Sequence, residues 1–208
     1  MIDVHEMKKI AIITTYKCTA SCRHCMMSSS PRRKEKLSSV TICETVEKFL
    51  TEGAPLELVI FTGGEATLLK DDLLDSIAFC SENDLKTRLI TNAWWASTEK
   101  RAVETVESFC EAGLSEINFS ADDYHQHYVK LDNIKNAWEA SKNKGFNSVV
   151  IANMIGPHSH ITGTFISEYF KEDIQEFWIN KGKIPPISSA RDGTKYLIAN
   201  SYIQKLGR

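Results

Sequence analysis

The 208-residue sequence has no apolar run approaching the ~20 residues that cross a bilayer, and no internal repeat, low-complexity tract or long linker. An excess of charge of either sign is also missing. Twenty-five Lys and Arg stand against 27 Asp and Glu, a net charge of -2, so the balance gives no support to a broad membrane or nucleic-acid surface. The opening residues, Met1-Ile2-Asp3-Val4-His5-Glu6, are mixed and polar and do not read as a secretory signal. The expected compartment is the cytoplasm. Cysteine is sparse: six residues, none after Cys110. Reducing conditions favour free thiols and metal ligation over disulfides. The length and a hydrophobic content of 42% suit one domain spanning residues 1–208.

What is present alternates. Lys8 to Thr15 is a charge-bounded run of branched apolar residues and reads as a buried strand. A helix follows from Ser38 or Ser39 to Thr51, with Val40, Ile42, Val46, Phe49 and Leu50 at helical spacing and Gly53 beyond its end. Strands are expected at 56–61, 87–91, 116–120 and 148–154, and helices at 68–83, 97–112, 133–144 and 165–180. A sixth strand is placed at 184–188 or at 196–199. Such alternation implies parallel strands with right-handed crossovers, hence an α/β fold.

The chemistry-bearing residues fall after the strands. Cys18, Cys22 and Cys25 follow the first strand in a C-x3-C-x2-C spacing, and three soft sulfur ligands select an iron–sulfur cluster, zinc or copper(I). A closed structural zinc site has four protein ligands, so three leave a position open unless a distant His or Cys closes it. Thr62-Gly63-Gly64-Glu65 follows the second strand. Its glycines permit close backbone approach to a ligand, and its carboxylate suits an ammonium group. Asn92 follows the third strand, Ser120, Asp122 and Asp123 the fourth, and Asn153 the fifth. Ligands collect at the carboxyl ends of parallel strands, where these loops converge. Cys43, Cys80 and Cys110 share no spacing and read as small buried residues within helices. The basic run Arg32-Arg33-Lys34-Glu35-Lys36 reads as a solvated loop, with an acidic substrate or electron donor as the alternative.

The cysteine triplet and the Gly-Gly-Glu stretch, each at the end of one of two successive strands, resemble the radical SAM superfamily over at least residues 8 to 155. The resemblance implies a partial (β/α)6 TIM-like barrel with parallel strands. It implies that Cys18, Cys22 and Cys25 hold a [4Fe-4S] cluster whose fourth iron is chelated by S-adenosylmethionine. It places Gly63, Gly64 and Glu65 at the methionine amino group, and His24, before the third cysteine, at the adenine, with cluster tuning or simple exposure as alternatives. Ser120, Asp122 and Asp123 become candidates for the sugar hydroxyls or carboxylate of the cofactor, and which aspartate faces inward is left open. Asn92 and Asn153 are weaker candidates. Tyr124, His125 and His127 could touch substrate or pack locally. Trp94 and Trp95 raise the same question, with a lid or pocket wall as the functional reading and local packing as the other.

The activity implied is reductive cleavage of S-adenosylmethionine to a 5′-deoxyadenosyl radical that abstracts hydrogen from a peptide or small-molecule substrate. It requires a low-potential electron donor, flavodoxin- or ferredoxin-like. The alternatives are an activase that makes a radical on a partner protein, and a non-catalytic module stabilised by a metal or cluster. Several branches of the superfamily carry further cysteines for additional clusters. Their absence after Cys110 leads to the expectation of a single cluster.

Overall fold

A computed structural model describes residues 4–179 and 186–203. Strands β1 (Lys9–Thr15), β2 (Leu58–Gly63), β3 (Lys86–Thr91), β4 (Glu116–Ser120) and β5 (Ser148–Ile155) lie side by side in chain order, all parallel. Helices α1 (Ser39–Thr51), α2 (Asp71–Glu82), α3 (Glu99–Glu111), α4 (Asp123–Gln126) and α5 (Leu131–Ala140) occupy the connections. Side chains alternate across the sheet. Val59, Phe61, Leu89, Ile117, Phe119, Val149 and Ile151 are fully buried on one face, in one core with Ile42 and Val46 of α1, Leu73 and Ile77 of α2, Val106 of α3 and Ile134 and Trp138 of α5. Each such side chain contributes roughly 1.5–3 kcal/mol on leaving water. Ser38 and Thr98 start their helices by accepting from the amides of Thr41 and Arg101.

The helix expected over 68–83 is divided. A 3-10 turn, Ala66–Leu69, precedes α2, and Lys70 between them has a positive φ of 55° that no continuous helix tolerates. The helix expected at 133–144 starts at Leu131 and stops at Ala140.

The larger correction concerns the last third. The helix expected over 165–180 is α6 (Gly163–Phe170), ended by left-handed Lys171, and the chain then forms β6 (Gln175–Trp178). Asn180 lies outside the described residues. Of the two positions offered for the last strand, 196–199 falls inside β7 (Lys195–Tyr202); in the other, 184 and 185 lie outside the described residues and 186–188 form no strand. β7 inserts between β5 and β6, giving the order β1-β2-β3-β4-β5-β7-β6. Among the described residues seven parallel strands therefore make up the partial barrel, with β1 and β6 as its edges.

Candidate active site

The cysteine loop leaves the sheet and returns to it. Cys18 N donates to Ser30 O, Tyr16 N to Glu35 O and Leu37 N to Thr14 O, so residues 19–29 project from a closed neck. Within the projection Cys25 N donates to Cys22 O and Ser28 N to Cys25 O, two successive tight turns. Cys18 and Cys22 are buried and Cys25 half-buried. Burial pushes the Cys18 thiol up to about 11 and the Cys22 thiol up to about 12.

The Gly-Gly-Glu segment grips this neck. Gly64 N donates to Thr15 O at 2.6 Å and Glu65 N to Lys17 O at 2.9 Å. A Cβ on Gly64 would lie 2.2 Å from Lys17 O, and one on Gly63, whose φ is +129°, 2.5 Å from Thr15 O. The chain crossing that requires glycine is the approach to the cysteine loop's own backbone, rather than only the approach to a ligand.

Glu65 is wholly buried and its carboxylate points into the protein. Oε1 accepts from Thr67 Oγ1 at 2.6 Å, Thr67 N at 3.3 Å and Thr91 Oγ1 at 2.7 Å; Oε2 accepts from Asn92 N at 2.8 Å. Burial nonetheless pushes the carboxyl above its ordinary value, against the pull of these four hydrogen bonds. Glu65 thus joins the ends of β2 and β3. The side chain of Asn92 turns back to the cysteine loop, its Nδ2 lying 3.0 Å from Thr19 Oγ1 and 3.6 Å from Cys18 Sγ.

At the end of β4 the two aspartates separate. Asp122 is buried beside the cavity; its Oδ1 accepts from the amides of Tyr124 and His125, and its Oδ2 contacts His125 Nδ1 at 2.9 Å. Burial pushes this carboxyl up, but the His125 hydrogen bond and the two neighbouring imidazoles outweigh it and hold it below its ordinary value. Asp123 faces away and caps the next loop, accepting from the amides of His160 and Ile161. His24 packs 4.7 Å from the Tyr124 ring and 5.0 Å from that of His125. Burial lowers its pKa, so at 3.9 Å from Asp122 it forms no ion pair at neutral pH, and its Nδ1 is buried without a partner among the described residues. Tyr128 Oη donates to Ser21 O, closing the β4 loop over the cysteine loop.

These pieces surround a cavity of about 360 Å³ at the carboxyl ends of the strands. Cys18, Cys22, Cys25 and His24 form one side, Thr62, Gly63, Gly64, Thr91 and Asn92 the next, and Ser120, Asp122 and His125 the third. Asn153 lines it as well, with Nδ2 bonded to Ile161 O and Asn200 Oδ1 while its own Oδ1 is buried and unpartnered among the described residues. Alternation could have located two further lining residues, Ala199 and Ser201, once β7 was in place. Met26, Met27 and Ile179 of the lining carried no sequence signal.

Of the two readings open for Trp94 and Trp95, local packing is the one the structure shows. Trp95 is buried against Phe109 and Phe119 and donates to Thr91 Oγ1, while Trp94 donates to Thr67 Oγ1; neither lines the cavity. His127 packs edge-on against Tyr128. Cys43, Cys80 and Cys110 sit on α1, α2 and α3, away from the cavity. A larger cavity of about 570 Å³, between the turn at Val4 and the Thr41–Glu52 face of α1, is lined by no cysteine or histidine among the described residues. The clustered thiols therefore line the smaller one.

The donor set suits an iron–sulfur centre: three cysteines line one cavity wall, and Cys18 Sγ already receives N–H donors from Ala20, at 3.4 Å, and Asn92, which offset part of the cost of a buried thiolate. A second group, His24, Asp122 and His125, has ligand atoms within 4.8 Å of one another, but the Asp122 carboxylate is occupied by internal donors.

A parallel α/β partial barrel with its polar groups at the strand ends belongs to a broad class of ligand-binding and catalytic folds. Within that class the family profile of the radical SAM superfamily matches residues 12–160, and the chain belongs to that superfamily. It is 30% identical over 135 residues to the "Putative peptide biosynthesis protein YydG" of Bacillus subtilis (strain 168), an alignment covering 65% of this chain and 42% of that protein. Among solved structures it is similar to anSMEcpe with bound AdoMet and Cp18Cys peptide, with a TM-score of 0.56, 16% identity and coverage of 78% of this chain and 47% of that one. It is likewise similar to TYW1 with a lysine-pyruvate adduct bound, with a TM-score of 0.51, 15% identity and coverage of 73% and 56%. The chain thus spans about half the length of these proteins. Superfamily membership implies S-adenosylmethionine and an iron–sulfur cluster as cofactors. No helix among the described residues is long and apolar enough to cross a membrane.

Proposed function

We propose that this chain is a radical SAM core whose Cys18, Cys22 and Cys25 ligate one [4Fe-4S] cluster and whose cavity binds S-adenosylmethionine beside it, for hydrogen abstraction from a peptide. The observation that carries the reading is the convergence of three cysteine sulfurs and the Gly63-Gly64 backbone on one cavity of about 360 Å³, within the roughly 300–1,000 Å³ typical of cofactor sites. When bound, the cluster supplies the electron that cleaves the sulfonium of S-adenosylmethionine to methionine and a 5′-deoxyadenosyl radical. The chain's residues bind, orient and exclude water.

Gly63 and Gly64, on the cavity wall, offer backbone carbonyls to the methionine ammonium, while Glu65 acts from behind by fixing Thr91 and Asn92. Neutral His24 presents an imidazole to the adenine, and Ser120 a hydroxyl to the ribose or carboxylate. Asp122 serves through His125, which it orients, since its own oxygens are engaged. Met26 and Ile179, 64% and 55% exposed, form an apolar rim that suits a peptide side chain, and the peptide-biosynthesis description of YydG supports that substrate class. A low-potential flavodoxin- or ferredoxin-like donor would meet the exposed cations Lys17, Arg23, Arg32 and Lys34 around the cysteine loop.

The test is anaerobic reconstitution with iron and sulfide, reduction with dithionite in the presence of S-adenosylmethionine, and quantification of 5′-deoxyadenosine. Slow uncoupled formation is expected without substrate. Protein that holds a reducible cluster and forms none would sink the proposal and leave a cluster-stabilised binding module.

A further inference from the structure

The buried amide of Asn92 has one orientation its surroundings accept. Its Oδ1 takes the Trp94 amide hydrogen at 3.0 Å, so Nδ2 is directed the other way, to Thr19 Oγ1 at 3.0 Å and Cys18 Sγ at 3.6 Å. The backbone beneath is equally held, because Asn92 N donates to Glu65 Oε2 at 2.8 Å and Glu65 is wholly buried. Asn92 is 4% exposed and Cys18 9% exposed, so the contact between them is largely shielded from bulk water. Cys18 Sγ also receives the Ala20 amide at 3.4 Å. Two N–H groups therefore converge on one sulfur, one from its own loop and one from the end of β3.

We infer that Asn92 sets the reduction potential of the cluster through its N–H to Cys18 sulfur, and that the Glu65 carboxylate positions it to do so. The inference rests on the assignment of Cys18 as a cluster ligand. Reduction adds one negative charge to the cluster and makes its sulfurs stronger acceptors, so a fixed donor stabilises the reduced form more than the oxidised form. Asn92 thus raises the potential, making the cluster easier for a donor to reduce at the expense of driving force for the next transfer. Hydrogen bonding to ligand sulfur is one of the protein's means of tuning such centres.

The experiment is potentiometric titration of the reconstituted protein with mediator dyes, followed by the electron paramagnetic signal, with no turnover involved. Asn92→Leu removes the donor without adding charge. Its midpoint should move negative by the equivalent of about tenfold in the reduction equilibrium constant, which is about 59 mV for a one-electron couple. Asn92→Asp is nearly isosteric, can keep the bond from Trp94 N and should move the midpoint further the same way; it serves also if the leucine variant folds poorly. Thr19→Val, which leaves the Asn92 donor in place, should show no negative shift. Loaded Asn92 variants with the wild-type midpoint overturn the inference alone. Wild-type protein that binds no cluster overturns the ligand assignment beneath it.

Discussion

Gly64→Ala adds one methyl group at the contact between the two motifs. Gly64 does not have a positive φ, so the substitution carries no left-handed penalty and its cost is steric. The new Cβ would sit 2.2 Å from Lys17 O, 2.7 Å from Lys17 C and 3.0 Å from Tyr16 C, all backbone atoms that no rotamer change can move. Relief requires the cysteine loop's neck to shift away from the end of β2, stretching the bonds Gly64 N–Thr15 O and Glu65 N–Lys17 O. Overpacking of this kind and one lost hydrogen bond together cost ~2–4 kcal/mol. For a chain of this size that corresponds to a fall of ~5–15 °C in Tm. Gly145→Ala is the comparison: φ there is +81° with nothing within 4 Å of the added Cβ, so only the conformational penalty of ~1 kcal/mol applies. Thermal unfolding of the metal-free proteins by circular dichroism, with iron content after reconstitution, provides the measurement. Gly64→Ala should unfold well below Gly145→Ala and lose cluster as Cys18 is displaced. A Tm no lower than that of Gly145→Ala, with full iron content, would refute the steric coupling.

Replacing Cys18, Cys22 or Cys25 with Ala should abolish the cluster's visible absorbance, whereas Cys43→Ala, Cys80→Ala and Cys110→Ala should retain it; loss in one of the latter with the fold intact reassigns the ligands. Glu65→Ala leaves Thr67, Thr91 and the Asn92 amide without their buried acceptor, at ~1–3 kcal/mol for each unsatisfied group. Denaturant unfolding of metal-free protein should therefore show a loss that a residue serving only to bind S-adenosylmethionine would not. The Cys18 and Cys22 thiols, raised to about 11 and about 12, are protonated at pH 7 in the metal-free protein, so ligation must displace both protons and metal affinity must rise with pH. Calorimetric titration of Zn2+ in buffers of different ionisation enthalpy should report release of those protons at pH 7; a titration with no buffer dependence contradicts that state.

The alternation of branched apolar runs with 3.6-period segments located β1 to β5 to within two residues, because each strand is buried on the helix-covered face and bounded by turn residues. The end of the sheet was not legible in the same way. Gln175–Trp178 is four residues long and becomes a strand only by pairing with Leu197–Asn200, a partner about twenty residues away, while left-handed Lys171 ends α6 without glycine as a signal. Motifs were readable as residues at strand ends, but the direction of their side chains was not. Glu65 meets donors from Thr67, Thr91 and Asn92, and nothing in a linear pattern shows that those groups converge on it. The division between Asp122 and Asp123 depends likewise on which of them caps α4.

The placement of β7 between β5 and β6 bears on how the molecule is assembled during synthesis. Strands β1 to β5 can add to the growing sheet in the order in which they are made, each beside the last. β6 cannot, because its strand neighbour among the described residues is β7, which is translated after it. The closing step must bring Lys195–Tyr202 into an eight-residue ladder with β5 before Gln175–Trp178 can dock, a non-local pairing that is intrinsically slow. Ala199 and Ser201 line the cavity. Cys18, Cys22 and Cys25 are thus made well before β7, the strand that adds Ala199 and Ser201 to the pocket around them, and a nascent chain exposes them until β7 docks.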